Sequence, residues 1–153
     1  QVGFALAVVG VFSVTVQGGL IRPTVKRIGQ RRPLYIGALA GALGFATYGV
    51  AGSVAVFWLG AVLYAPAGFF NPSLQGLLTK RVGAHEQGQL QGATSSLMGI
   101  AGLIGPALFT QSFAWAIRDG VAWHVPGLPF LLAAALFALG GLIAWRATRH
   151  DPD

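Results

Sequence analysis

Residues 128–145 read LPFLLAAALFALGGLIAW, a run in which no side chain carries a charge. A helix that crosses the hydrocarbon core of a bilayer needs about 20 mostly apolar residues. Within lipid, a helix satisfies its backbone hydrogen bonds inside the segment itself. Arg146 follows the run directly and marks its end. The run therefore predicts a membrane-spanning helix.

Four more runs of this kind lie upstream, at residues 2–21, 34–51, 54–78 and 90–117. The last two exceed the minimum length, so we expect them to tilt, to protrude or to kink at Pro66, Pro72 and Pro106. The stretches between runs are short and include no long linker. The sequence predicts an all-α, polytopic membrane bundle of five transmembrane helices in one domain, residues 1–153.

The composition supports a membrane location. The chain has 153 residues, of which 54% are hydrophobic and 9% charged, whereas a soluble globular chain has about 25% charged residues. The net charge of +6 would suggest a nucleic-acid surface in a soluble protein, but here the basic residues flank the apolar runs. The chain opens with Gln1 directly on the first apolar run, without an initiator Met or a cleavable signal. We therefore expect a piece of a longer protein.

The basic residues also predict the orientation of the five helices, because Lys and Arg near the ends of spans are retained in the cytoplasm. If the spans simply alternate, nine of the ten basic residues lie on one side and Arg118 alone lies on the other. The nine are Arg22, Lys26, Arg27, Arg31, Arg32, Lys80, Arg81, Arg146 and Arg149. The sequence thus predicts an external start and a cytoplasmic C-terminus.

The residue types give little support for an enzymatic site. His85 and Glu86 begin a zinc-protease pattern, but Gln89 stands where the second His is required. There is no Cys to supply thiolate ligands, and His124 and His150 are not placed beside a buried Ser. The clustered glycines lie inside apolar spans, so helix packing at Gly37 and Gly41 is favoured over nucleotide binding. We expect no enzyme, no cofactor and no metal.

Polar side chains inside the spans are the best candidates for a binding site, because a buried polar group without a partner costs several kcal/mol in hydrocarbon. They could line a neutral, amphipathic cavity. The alternative is hydrogen bonding between helices, which contributes about 0.6 kcal/mol per contact. The preferred substrate-pathway residues are Gln17, Asn71, Gln75, Gln91 and Ser95.

A specific motif occurs at residues 83–92, which read GAHEQGQLQG. It resembles the Glu-Gln-Gly-x-Leu-Gln-Gly loop of the tetracycline-resistance exporters, drug:proton antiporters of the major facilitator superfamily. The resemblance extends through residues 102–109, GLIGPALF, back to residues 74–76, LQG, and to residues 2–7, VGFALA. It therefore covers most of the chain.

The resemblance implies a twelve-helix transporter made of two six-helix halves. The five spans would be helices eight to twelve, an incomplete C-terminal half. The implied function is proton-coupled export of tetracycline-like or other amphipathic drugs by alternating access in a bacterial inner membrane. The implied partners are a small-molecule drug, protons, the lipid bilayer and the missing N-terminal half, with no nucleic acid.

Residues 22–32 resemble a degenerate second copy of the superfamily's basic gate loop, with Lys26 where the better-preserved copy has Asp. Arg27, Gly29 and Arg31 would belong to a cytoplasmic gate, together with Glu86, Gln87 and Gly88. Membrane anchoring by positive charge is an equally good interpretation of this loop. Helix packing is the expected role of Gly92, Gly105 and Pro106.

The chain departs from the exporters at two positions. Well-known members carry His in the first span of this region and Asp in the second, where this chain has Ser13 and Gly41. None of the five spans contains Asp or Glu. Two alternatives to the drug exporter therefore stay open: a carrier for another small molecule on the same fold, and a nonfunctional truncated remnant.

The charge pattern predicts where reporter fusions will be active. Fusions after Gly52 and Gly120 should report the outside, whereas fusions after Arg32, Val82 and Arg149 should report the cytosol. An alkaline phosphatase and green fluorescent protein pair measures this. External activity after Val82 would contradict the five-span topology.

Overall fold

The computed structural model describes residues 29–118 and 125–149, and this part of the chain is helical without any strand. The predicted first span, which contains Gln17, lies outside the described residues, and so does Arg27 in the loop after it. A 3₁₀ helix at Ala65–Phe69 joins the second and third α-helices into one unit. The α-helices are α1 Arg31–Gly49, α2 Val54–Tyr64, α3 Phe70–Lys80, α4 Gln87–Ala116 and α5 Leu128–Thr148.

Three helical units are long and apolar enough to cross a membrane: Val54–Lys80, Gln87–Ala116 and Leu128–Thr148. They agree with three of the predicted spans. Helix α1 forms where the second span is predicted, but it does not reach the same hydropathy, because it starts with two arginines and contains four glycines. Five transmembrane helices are therefore not confirmed.

Helix α1 is the centre of the described bundle. One of its faces packs against α5, and another packs against α2, the 3₁₀ helix and α3. Leu34 is completely buried in this arrangement, and Gly37, Gly41 and Gly44 are buried along the same helix. A surface formed by small residues lets neighbouring backbones approach closely.

None of these three glycines leaves room for a side chain, and Gly37 and Gly41 show what each one contacts. A Cβ atom at Gly37 would lie 2.7 Å from the backbone nitrogen of Phe70 at the start of α3. A Cβ atom at Gly41 would collide with the ring of Phe137 on α5. The helix packing predicted at Gly37 and Gly41 is present, and each glycine serves a different neighbour of α1.

Helices α1 and α5 run antiparallel. At one end of the pair, the Tyr35 hydroxyl and Thr148 Oγ1 are 2.6 Å apart. At the other end, a Cβ atom at Gly49 would lie 2.6 Å from the Leu131 side chain. The contact between the two helices thus extends along nearly the whole length of α1.

An aromatic cluster centred on Phe45 joins α1, α2 and α5. The Phe45 ring centroid lies 4.9 Å from that of Tyr64 and 5.6 Å from that of Phe137. The Phe130 centroid is 6.4 Å away. These separations fall within the range of favourable aromatic pairs, each worth about 0.5–1.5 kcal/mol beyond area burial.

The prolines have different effects on the helices that contain them. Pro66 lies at the start of the 3₁₀ helix, so the unit 54–80 changes its helix type where a kink is predicted. Pro72 lies in the first turn of α3, where a missing N–H is tolerated. Helix α4 continues as one α-helix on both sides of Pro106.

The close approach of the Phe70 backbone to Gly37 predicts that alanine will destabilise the protein at Gly37 but not at Gly140. Gly37→Ala should lower the free energy of unfolding by about 1–3 kcal/mol, since the new methyl group overpacks a rigid backbone contact. Gly140→Ala is the matched control: its Cβ atom would meet only the tip of the Phe70 ring, at 4.0 Å. That change should be neutral or slightly stabilising, because Ala favours helix by up to about 1 kcal/mol.

Unfolding in mixed detergent micelles, followed by circular dichroism, provides the measurement. Equal stability of the two variants would contradict the packing of α1 against α3.

Candidate functional site

Helix α4 exposes nearly all of its surface within the described part of the chain. Of its 30 residues only Ala116 is buried, and Leu97 and Leu103 are 67% and 80% exposed. It contacts α5 over a limited area and α3 even less. The rest of its surface is therefore available to lipid or to protein outside the described residues.

The candidate polar residues of α4 share one face. Gln91 and Ser95 are four residues apart, which places them on the same side of the helix, and both side chains are exposed. Thr94 differs from them, because its hydroxyl donates to carbonyls of its own helix, Leu90 and Gln91, each at 3.0 Å. Gln91 and Ser95 therefore remain the candidates for contact with a ligand.

Helix α3 has a similar pair of candidates. Asn71 is exposed and Gln75, one turn later, is half-buried on the same face. Ser73 is completely buried instead, and its hydroxyl has no hydrogen-bond partner among residues 29–118 and 125–149. Asn71 and Gln75 thus form a short polar stripe on α3, as Gln91 and Ser95 do on α4, and the two are called the amide stripes below.

The two stripes lie at matching distances from the turn that joins α3 to α4. With a rise of about 1.5 Å per residue, Gln75 lies roughly 7 Å along α3 from its end at Lys80, and Gln91 lies about 6 Å along α4 from Gln87. Asn71 and Ser95 lie one turn deeper, at about 13 and 12 Å. Because the short turn 81–86 joins the two helices, both stripes start near the same end of the bundle.

The predicted gate residues lie at this same end. Gly29 has a φ of +81°, a left-handed conformation that suits glycine, and Arg31 is the first residue of α1. Between them, the Gln30 amide lies against Gly76 of α3, where a Cβ atom would be 2.6 Å from Gln30 Nε2. The segment before α1 therefore docks directly on α3.

Arg81 forms a second tie at this end. Its Nη2 donates a 2.8 Å hydrogen bond to the backbone carbonyl of Ala147 in α5. This bond links the residue after α3 to the last turn of α5. Together with the Gln30 and Gly76 contact, it fixes the ends of α1, α3 and α5 relative to one another.

Glu86 orders the turn before α4. Its carboxylate accepts a 3.1 Å hydrogen bond from the Gly83 N–H, while its own N–H donates to the Gly83 carbonyl at 2.9 Å. Gln87 and Gly88 then open α4 and are exposed. The geometry supports a loop-ordering role for Glu86, and a gating role stays a prediction.

The packing role predicted for Gly92, Gly105 and Pro106 also stays a prediction. A Cβ atom at Gly92 or Gly105 would meet nothing within 4 Å among the described residues. Any helix that packs on this part of α4 therefore lies elsewhere in the protein.

Sequence reasoning missed three features that shape the site: the Arg81 bond to Ala147, the docking of Gln30 on Gly76, and the aromatic cluster around Phe45. Gly76 offered one signal, since a glycine between Gln75 and Leu77 in a helix indicates a close neighbour. The Arg81 bond has no signature in the sequence, because its acceptor is a backbone carbonyl 66 positions away.

The chain is similar in sequence to proteins of known function along almost its whole length. The class C tetracycline resistance protein of Escherichia coli is 31% identical over 151 residues, which is 97% of this chain and 37% of that protein. The class E protein of Escherichia coli is 36% identical over 143 residues, covering 94% and 34%. The class H protein of Pasteurella multocida is 31% identical over 141 residues, covering 91% and 34%.

No protein-family model and no solved structure matches the chain. Three helical units are long and apolar enough to cross a membrane, which places the chain among membrane proteins. Over almost its whole length the chain is similar to tetracycline resistance proteins, the proteins that its motifs resemble. It spans about a third of the length of the curated relatives that it matches.

The amide stripes predict accessibility to water. If these polar groups line a cavity as predicted, cysteine introduced at Asn71, Gln75, Gln91 or Ser95 should react with small water-soluble thiol reagents. The chain has no native Cys, so each label reports one site. Leu39 and Leu136, apolar and 61% and 47% exposed, are the controls for labelling rates, because we expect them to face lipid. Equal rates at both sets of positions would remove the stripes from the substrate path.

Proposed function

We propose that the protein containing this chain exports tetracycline-like or other amphipathic drugs in exchange for protons, by alternating access in the bacterial inner membrane. The similarity of almost the whole chain to tetracycline resistance proteins carries this proposal. In it, the chain is the incomplete C-terminal half, residues 1–153, with its C-terminus in the cytoplasm. The exposed surface of α4 would pack against the other half.

The amide stripes would form one wall of the drug pathway. Asn71, Gln75, Gln91 and Ser95 offer neutral donors and acceptors between apolar surfaces, which suits an amphipathic molecule. Gln17 would add to this wall from the first span. The basic end, with Arg27, Gly29, Arg31, Glu86, Gln87 and Gly88, would form the cytoplasmic gate.

A carrier for a different small molecule is favoured by one observation. Gly41 stands where the resembled exporters have Asp, and the Phe137 ring occupies the space that a Cβ atom would need. An Asp at this position would require Phe137 to move. The surroundings of Gly41 are thus apolar and aromatic, where the exporters have an acidic side chain. This difference would change which substrate the protein binds.

Proton coupling would depend on the part of the protein beyond this chain. Glu86 is the only carboxylate within residues 29–118 and 125–149, and it lies in the turn before α4 rather than inside a helix. Arg is effectively always protonated. The proton carrier would therefore belong to the other helices, while these helices supply substrate contacts.

Drug accumulation in cells separates the two carrier functions. Cells expressing the natural full-length gene should accumulate less tetracycline than control cells, and a protonophore should abolish the difference. The 153-residue chain expressed alone should give no protonophore-sensitive transport. If the cells do not export tetracycline but export another compound in a protonophore-sensitive way, the alternative carrier is favoured. Proton-driven transport by the chain alone would contradict the assignment of the proton carrier.

Glu86→Gln is the informative variant in the same assay. Gln retains an oxygen that accepts the Gly83 N–H but loses the charge, so turnover should slow while the protonophore still acts. Glu86→Ala removes both the charge and the hydrogen bond and should slow turnover further. Loss of proton dependence in Glu86→Gln would make Glu86 a coupling residue instead.

A further inference from the structure

A narrow apolar groove follows the contact between α1 and α5. Its volume is about 360 Å³, and only residues of these two helices line it. It forms because small side chains lie at its centre while larger ones form its ends and edges. The residues that define it are Tyr35, Leu39, Ala42, Ala138, Gly141 and Trp145.

The dimensions of the groove suit a single hydrocarbon chain. From Tyr35 to Ala42 it follows α1 for about 10 Å, and one leaflet contributes about 15 Å of the hydrocarbon core. Leu39 and Ala138 are exposed at its opening, so the groove opens to the outside of the described bundle. An acyl chain lying parallel to the helices would fill it.

One end of the groove is aromatic and basic. Tyr35 and Trp145 lie there on facing helices, and such amphipathic rings favour the boundary between lipid and water. The Arg149 guanidinium carbon lies 5.6 Å from the centre of the Trp145 ring. Arg32, three residues before Tyr35 and thus on the same face of α1, is exposed, as are Arg146 and Arg149.

We propose that this groove binds one acyl chain of an anionic phospholipid, with the phosphate held at the end where Arg32 and Arg149 lie. Basic pockets between membrane helices recognise anionic headgroups in this way. The charge pattern favours a lipid over an apolar protein segment, because the positive charge of Arg32, Arg146 and Arg149 at this end is complementary to an anionic headgroup. This site is separate from the amide stripes and does not depend on which substrate is transported.

Native mass spectrometry of the natural gene product tests the proposal. After exchange into micelles containing equal amounts of phosphatidylglycerol and phosphatidylcholine, the protein should retain phosphatidylglycerol preferentially. Replacing Arg32 and Arg149 together with Gln should reduce this preference by about fivefold per arginine, the effect of one basic residue near an anionic surface. Arg118→Gln, at the far end of α4, is the matched control and should leave it unchanged.

The apolar part of the groove has its own test. Ala138→Phe should fill it and lower the retention of both lipids, whereas Ala135→Phe, on the same helix but outside the groove, should not. Equal retention in these two variants, or no preference for phosphatidylglycerol in the unaltered protein, would overturn the proposal.

A photo-crosslinker at Leu39 identifies the occupant in an otherwise unaltered chain. A covalent adduct with phospholipid supports the proposal and does not depend on the folding of the groove variants. An adduct with residues 1–28, with another part of the protein or with a second copy would show that protein covers the groove and would overturn it.

Discussion

The packing of α1 against two neighbours at once is the constraint on which the rest of the described structure depends. Lipid tails are as apolar as the helices, so no hydrophobic driving force brings membrane helices together. Close van der Waals contact and hydrogen bonds must do so instead. Gly37 and Gly41 provide that contact toward α3 and α5, and the bond between Tyr35 and Thr148 adds a polar tie at the basic end. The positions of α3 and α5 are therefore set by α1.

The ties at the basic end have a functional consequence. Gln30 against Gly76 and Arg81 on the Ala147 carbonyl connect the ends of α1, α3 and α5. Helices joined in this way are suited to move as one body, as the proposed alternating access would require of each half of the transporter. Helix α4 shares few of these contacts. It is joined to α3 through the turn that Glu86 closes, and most of its surface is left for other partners.

Much of this arrangement could be predicted from the sequence, and the reason is physical. Hydrocarbon requires long apolar helices, so the positions of α4, α5 and the unit 54–80 follow from hydropathy within a few residues. Helix α1 shows the limit of that reasoning: its glycines lower the hydropathy, yet the same glycines make it the centre of the bundle. Composition reports how a segment interacts with lipid, whereas close packing depends on which helix lies opposite.

The candidate site was less predictable for a related reason. Helical periodicity could pair Asn71 with Gln75 and Gln91 with Ser95, because these pairs are local. Sequence alone could not separate Ser73 from these residues, although it is buried completely while Asn71 is exposed. Nor could it distinguish Thr94, whose hydroxyl is satisfied within its own helix. A polar residue inside a membrane helix becomes a candidate for function only when neither its own backbone nor a neighbouring helix accounts for its polar group, and that condition is decided by packing.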